Sequence, residues 1–128
     1  MPQLTKKKFT YFESQVKYWC DYFGIHDWFI QIDSDADEAN YGQCDGELED
    51  RNATISVCMD WEREPDDIEL SSIAFHEVCE LLLRDIALLA AERFINWREL
   101  ETARHRVIQM LQNSVWREKM KPEKKRGN

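Results

Sequence analysis

The sequence predicts a single α+β domain in which helices surround a small sheet. Apolar residues recur at helical spacing in residues 9–23 and again in residues 97–119. Between these segments, three short runs rich in β-branched and aromatic residues have the length and composition of strands. With 128 residues, of which 43% are hydrophobic, the chain can bury one core. We therefore expect one domain over residues 1–118 and a basic, disordered tail at residues 119–128.

The first helix has clear signals at both ends. Thr5 or Thr10 can cap its start, and Gly24 is placed to end it. Strands are then expected at residues 28–32, 41–48 and 53–59. The last two flank a turn and should form a hairpin, so the expected sheet is three-stranded and of antiparallel type.

The hairpin turn falls within residues 49–52, where Asp and Asn are typical turn residues. If the turn is centred on Arg51, Cys44 and Cys58 are equally far from it and become cross-strand neighbours. The register of the hairpin decides this pairing, because a slip of one residue moves every side chain to the other face.

Residues 33–40 are polar and acidic, which predicts a loop. Alternate carboxylates in this segment, at Asp33, Asp35 and Asp37, are similar to the opening of a calcium-binding EF-hand loop. Glu38 stands where such a loop needs glycine, and Cys44 stands where it needs glutamate. A solvated acidic loop is therefore the prediction, with calcium binding as the alternative.

Two further helices are predicted, at residues 68–91 and 97–119. The second has an expected buried stripe of Leu100, Ala103, Val107, Met110 and Leu111. The first is apolar around most of its circumference, which indicates burial on most sides. Its remaining polar sector must face either solvent or a cleft.

That polar sector contains His76, Glu77, Glu80 and Arg84, and it is one residue away from the zinc-hydrolase pattern His-Glu-x-x-His. In a cleft, His76 and Glu80 lie one turn apart and can bind one metal ion, with Glu77 beside the bound water. On a solvent face, Glu80 would instead pair with Arg84, and His76 would be merely exposed.

A zinc site needs a third protein ligand, and the candidates are Glu101 and His105, four residues apart on the last helix. His105 projects almost opposite the apolar stripe, as an ordinary exposed histidine does. It can be a ligand only if the polar face of this helix lines a cleft shared with the His76 helix.

The net charge of −8 is unevenly distributed. Residues 21–85 hold 19 of the 25 acidic residues against three arginines, a net charge of −16. This field repels phosphate backbones, so we expect no nucleic-acid ligand, whereas a cation or a basic protein partner fits it.

The composition also indicates the compartment. No apolar run approaches the roughly 20 residues that span a bilayer, and the first residues lack an apolar signal segment. The four cysteines show no Cys-x-x-Cys spacing. We expect a cytoplasmic protein with reduced thiols and no membrane partner.

Four short motifs carry a resemblance to a known family. They are Gly24-Ile25-x-x-Trp28-x-Ile30, Ala53-Thr54-Ile55-x-Val57, Phe75-His76-Glu77-Val78-x-x-Leu81-Leu82-Leu83 and Glu101-x-x-x-His105-Arg106-Val107-Ile108-x-x-Leu111. Across roughly residues 9–115, in this order and spacing, the chain resembles the small phage- and prophage-encoded metallopeptidase-like proteins of minimal zincin type.

The resemblance implies a minimal zincin architecture in which a zinc ion activates water for peptide hydrolysis in the cytoplasm of a bacterial host. By position it makes His76 the first ligand and Glu77 the general base, and Glu80 stands where the family usually has its second histidine. The third ligand would be Glu101 or His105, with Glu101 in the gluzincin arrangement. The substrate would be a peptide or protein. The alternative is a catalytically degenerate zincin that binds a basic protein partner through its acidic surface.

Overall fold

The computed structural model describes residues 3–37, 41–47, 49–91 and 96–122. Its elements are α1 (Lys6–Tyr22), β1 (Phe29–Ala36), β2 (Gly42–Glu47), β3 (Asn52–Cys58), α2 (Asp67–Leu82), α3 (Arg84–Ala91), α4 (Trp97–Leu111), a π-helical segment that continues α4 (Gln112–Trp116), and α5 (Arg117–Met120). The predicted α+β class, with an N-terminal helix, a small three-stranded sheet and C-terminal helices, is confirmed.

The ends of α1 follow local signals. Of the two candidate caps it is Thr5 that begins the helix, where its hydroxyl accepts a hydrogen bond from the Lys8 amide at 3.2 Å. Gly24 ends it with a φ of +68°, a conformation that costs glycine little. The helix packs on α2, and the rings of Trp19 and Phe75 meet edge to face with centroids 4.7 Å apart.

The sheet is mixed, which corrects the antiparallel sheet expected from the sequence. The strand order is β1-β3-β2: β2 and β3 form the predicted antiparallel hairpin, but β3 lies between the other two strands and runs parallel to β1. Burial explains the arrangement, because Ala53, Ile55 and Val57 of β3 are all buried and the most apolar strand occupies the centre.

The hairpin register differs from the predicted one. Glu47 pairs with Asn52, which centres the turn one to two residues before Arg51. Cys44 therefore lies opposite Ile55, and the predicted Cys44–Cys58 pairing is wrong.

The acidic segment after residue 32 is strand as far as Ala36, where a loop was expected. Asp33 pairs with Ser56, and Ala36 pairs with Cys58. Ladder hydrogen bonds use only backbone groups, and β1 is an edge strand that leaves polar side chains such as Asp35 exposed. Within the described residues, the acidic side chains of this segment form no cluster that could hold a metal ion. The rest of the predicted loop, residues 38–40, lies outside the described residues.

The helix predicted at residues 68–91 forms as two helices, because α2 ends at Leu82 and α3 begins at Arg84. Asp66 caps α2, and its side chain forms a reciprocal capping box with Glu69. One face of α2 packs on α1 and another on the sheet, which accounts for its apolar circumference. Its buried residues include Leu70, Ala74, Phe75, Val78, Cys79 and Leu81.

The buried face of α4 is rotated by about a quarter turn from the predicted stripe. Arg104 and Ile108 are buried, whereas Val107 is 41% exposed and Met110 is 65% exposed. A carboxylate on α2 pairs with Arg104, so a charged side chain occupies a core-facing position that the apolar pattern did not indicate. This rotation brings His105 to the flank of the contact with α2.

The last helix extends to Met120, past the predicted start of the tail at residue 119, and residues 123–128 lie outside the described residues. Among the described helices, none combines the length and the apolar character needed to cross a bilayer.

Candidate metal centre

His76 and Glu80 lie one turn apart on α2, and His105 faces them from α4. The imidazole rings of His76 and His105 have centroids 5.5 Å apart, and His76 Nε2 lies 4.0 Å from Glu80 Oε2. One donor atom from each of the three side chains lies within 4.8 Å of the other two. In the described part of the chain, no other group of three His, Cys, Asp or Glu side chains comes close enough to share an ion.

These donors suit zinc. Two imidazole nitrogens and one carboxylate oxygen form a common donor set of catalytic zinc sites. Zinc bonds of about 2.0–2.1 Å place tetrahedral ligands about 3.4 Å apart, so the side chains would draw together by about 1 Å. His105 is exposed, which leaves one side of the cluster open to water or a ligand.

Each of the two histidines offers a ring nitrogen to a metal ion. Burial lowers the pKa of His76 below its usual value of 6.5, against an opposite effect of Glu80, so this imidazole is neutral at pH 7. His105 Nδ1 lies 2.9 Å from the carbonyl oxygen of Glu101. In the tautomer that donates this hydrogen bond, Nε2 of His105 is free to bind an ion.

Gln112 lies beside His76. Its side chain acts on the imidazole to raise the pKa of His76, and its amide nitrogen donates to Ser72 Oγ at 2.8 Å. The amide oxygen is therefore the atom available to accept from His76. The π-helical segment begins at Gln112, and such segments often occur at functional sites. The helical periodicity of the sequence does not indicate that Gln112 lies beside His76.

Glu80 is paired with Arg104, a residue that the apolar pattern of α4 did not indicate as part of the site. Arg104 Nη2 lies 3.0 Å from Glu80 Oε1 and 3.5 Å from Glu101 Oε1. The alternative pairing of Glu80 with Arg84 is wrong, because Arg84 follows the helix break and donates to the carbonyl of Gly46 at 3.2 Å. The spacing Glu101-x-x-Arg104 was the available signal, since residues three apart share a helix face.

Glu101 and His105, the two candidates for third ligand, take different positions. The structure brings His105 to His76 and Glu80, whereas the Glu101 carboxylate lies on Arg104. The site as assembled therefore contains one carboxylate and two imidazoles.

Glu77 is only 5% exposed and points toward β2. Burial, together with the charge and hydrogen bonding of the neighbouring Glu80, raises its pKa from 4.5 to about 9, against an opposing effect of Arg104. The carboxyl group lies within hydrogen-bonding reach of Glu80, while its Oε1 has no partner among the described residues. Glu77 therefore retains its proton at neutral pH when no metal is bound.

Cys44 lies near these carboxylates but is not a suitable ligand. Burial raises the pKa of its thiol to about 12, and the charges of Glu77 and Glu80 act in the same direction. Metal binding requires the thiolate, which this environment disfavours.

A cavity of about 690 Å³ lies toward the N-terminus of α2, one helical turn from His76. Ser72 and Ile73 line it from α2, one turn before His76, and Trp116 lines it from the π-helical segment. The rings of Tyr41 and Trp61 stack with centroids 4.6 Å apart and form another wall.

Comparison with known proteins gives no matching family model, no matching curated protein and no matching solved structure. The donor geometry, the burial and the charges of the cluster are therefore what support a functional proposal.

Proposed function

We propose that the protein binds one divalent metal ion, zinc, through His76, Glu80 and His105, and that it hydrolyses peptide bonds. The observation that carries the proposal is the convergence of three donor atoms within 4.8 Å from two different helices. With His105 as third ligand, the site has a single carboxylate, so a bound zinc ion would keep a net positive charge. It would remain electrophilic enough to activate water. The resemblance to minimal zincins supports a peptide as substrate.

The proposed general base is Glu77. When bound, zinc supplies Lewis-acid activation of water and of the substrate carbonyl group. Glu77, which follows His76 directly, would accept the proton of the attacking water and pass it to the leaving amine. This role requires the ionised form, and it requires the carboxyl group to turn from β2 toward the cluster. A divalent charge nearby favours that form and opposes the burial that raises the pKa of Glu77 to about 9.

Metal analysis tests the binding site. We expect about one zinc ion per chain in protein purified without chelators, as zinc binds tightly to a set of three protein ligands. His76→Ala and His105→Ala should each remove most of it. His26→Ala is the matched control, because His26 is exposed and lies outside the cluster. Absence of stoichiometric zinc in the wild-type protein, even after zinc is added, would overturn the proposal.

The hydrolytic step needs a separate assay. Zinc-loaded wild-type protein is tested against a library of quenched fluorescent peptides. Glu77→Gln should lower any activity by about 10²–10⁴-fold while zinc binding persists. If the variant cleaves as fast as the wild-type protein, Glu77 is not the base.

A second candidate function is binding without catalysis, in which the acidic surface contacts a basic protein. The specific observation in its favour is that Arg104 already neutralises Glu80 at 3.0 Å, so the cluster is partly charge-balanced without an ion. The net charge of −16 over residues 21–85 supplies the complementary surface.

The salt dependence of partner binding distinguishes the two proposed functions. A basic partner captured from cell lysate should be released as salt is raised, because the screening length falls from about 8–10 Å at physiological ionic strength to about 3 Å at 1 M. Its capture should be unaffected by a chelator or by His76→Ala. Metal-dependent proteolysis without a salt-sensitive partner would exclude this second function.

A further inference from the structure

We propose that Arg104 is the positioning residue of this metal site: it fixes one oxygen of Glu80 so that the other oxygen faces the two histidines. The inference rests on the proposed function, because it requires His76, Glu80 and His105 to bind an ion.

The two oxygens of Glu80 face different partners. Oε1 lies 3.0 Å from Arg104 Nη2, and Oε2 lies 4.0 Å from His76 Nε2. A carboxylate that binds zinc through one oxygen is generally hydrogen-bonded through the other, which sets its orientation. Glutamate has several rotatable bonds, so a fixed donor on Oε1 limits the positions that Oε2 can take.

Arg104 is itself held in place. It is 8% exposed, its guanidinium carbon lies 5.4 Å from the centre of the Trp97 ring, and Glu101 pairs with it at 3.5 Å. His105 is the next residue on the same helix, so α4 carries both the third ligand and the group that orients the second. Glu101 contacts both residues: its carbonyl oxygen lies against His105 Nδ1, and its carboxylate lies against Arg104.

Fold stability alone is a poor explanation for this arginine. Its Nε and Nη1 are buried and find no hydrogen-bond partner among the described residues. Leaving donors of a buried charge unpaired is unfavourable, and buried ion pairs can often be replaced by apolar residues without loss of stability. A role at the site explains the guanidinium in this position. Nη2 alone holds Glu80, so this role does not require partners for Nε and Nη1.

Positioning and simple charge repulsion make opposite predictions. The positive charge of Arg104 repels a divalent ion, so if charge dominated, removing it would tighten zinc binding. If orientation of Glu80 dominates, removing Arg104 weakens zinc binding. Loss of such outer contacts typically costs 10–100-fold in metal affinity.

The test is a zinc titration against a chromophoric chelator for the wild-type protein and three variants. Arg104→Met should weaken binding by about 10–100-fold. Arg104→Gln should recover part of the loss, since an uncharged amide N–H can still donate to Glu80. Arg106→Met is the matched control, because Arg106 is exposed on the same helix and loses the same charge. It should leave affinity nearly unchanged.

A second readout separates orientation from general destabilisation. Co²⁺ replaces Zn²⁺, and its visible absorption spectrum, which depends on the ligand geometry, should change in Arg104→Met and move back toward wild type in Arg104→Gln. If Arg104→Met does not fold without metal, as thermal unfolding in chelator would show, Arg104→Gln carries the test alone and should bind zinc more weakly than wild type.

The outcomes distinguish the two proposals. Wild-type protein that binds zinc, with equal or tighter binding in the folded Arg104 variants, overturns the role of Arg104 and leaves the metal site standing. Wild-type protein that binds neither Zn²⁺ nor Co²⁺ overturns both.

Discussion

Gly42 on β2 packs directly against Glu77 on α2. A Cβ atom at position 42 would lie 2.4 Å from Cγ2 of Ile73 and 3.0 Å from Oε2 of Glu77. Glycine at this point lets the strand approach the helix that carries the candidate ligands, and the contact holds Glu77 against the sheet, away from water. β2 can therefore lie this close to α2 only because residue 42 has no side chain.

Gly42→Ala should destabilise the fold by about 1–3 kcal/mol, because the strand or Ile73 must move to admit the methyl group. Gly46→Ala on the same strand is the comparison. The closest atom to a Cβ there is the end of the Trp28 side chain at 3.1 Å, so its cost should be smaller. Urea denaturation measures both, and equal losses would contradict the close-contact explanation.

The stability of the metal-free protein should depend on pH through Glu77. Burial raises its pKa from 4.5 to about 9, so between these values the folded protein holds a proton that the unfolded chain has released. Stability falls with rising pH where the folded state binds more protons, by up to about 1.4 kcal/mol per pH unit for one group. Glu77→Gln carries no such proton and should lack this loss.

Denaturation of both proteins in the presence of chelator, at several values between pH 5 and pH 9, measures the effect. The difference in unfolding free energy should grow with pH in favour of Glu77→Gln. Parallel curves for the two proteins would mean that Glu77 ionises normally in the fold.

Glu80→His should retain zinc binding or tighten it, because an imidazole nitrogen at this position restores three nitrogen ligands on unchanged helices. The same change removes the Glu80 carboxylate, which accepts the hydrogen bond from Arg104. The metal-free variant should therefore lose roughly 3 kcal/mol of stability, well above the effect of an exposed ion pair.

Zinc titration and thermal unfolding of the Glu80→His protein are measured together. A mutant that binds zinc beside a wild-type protein that does not would show that Glu80 marks a lost site. The enzyme function would then be abandoned.

Gln112→Ala removes the hydrogen bond of this side chain to Ser72 and its interaction with His76. We expect a loss of about 1 kcal/mol in stability and a weakening of zinc affinity that can reach about tenfold. Asn113→Ala, at the adjacent exposed position, is the control and should change neither quantity. Isothermal titration with zinc is the measurement, and unchanged affinity in Gln112→Ala would show that His76 is oriented without it.

Several features could be predicted from the sequence because they depend on residues close together in the chain. The cap at Thr5, the stop at Gly24 and the hairpin between β2 and β3 each involve only a few neighbouring positions. The pairing of His76 with Glu80 follows from helical spacing alone. The prediction that His105 could join them depended on a cleft between two helices, and the sequence left that condition open.

The site details that were missed depend on contacts between distant segments. Periodicity placed the buried face of α4 on Val107 and Met110, but the ion pair of Arg104 with Glu80 and the packing of Ile108 turned the helix by about a quarter turn. A few exposed apolar side chains cost little next to an unpaired buried charge, so the ion pair decided the orientation.

By itself the sequence determined the fold class, the order of the elements and the helix face that carries His76 and Glu80, because these follow from local spacing and composition. Only the tertiary structure decided that β3 lies between β1 and β2, that His105 and not Glu101 faces the two α2 residues, and that Arg104 and Gln112 surround them. The physical reason is that each helix has more than one face that can pack. The choice among them is a free-energy difference summed over contacts between residues far apart in the chain.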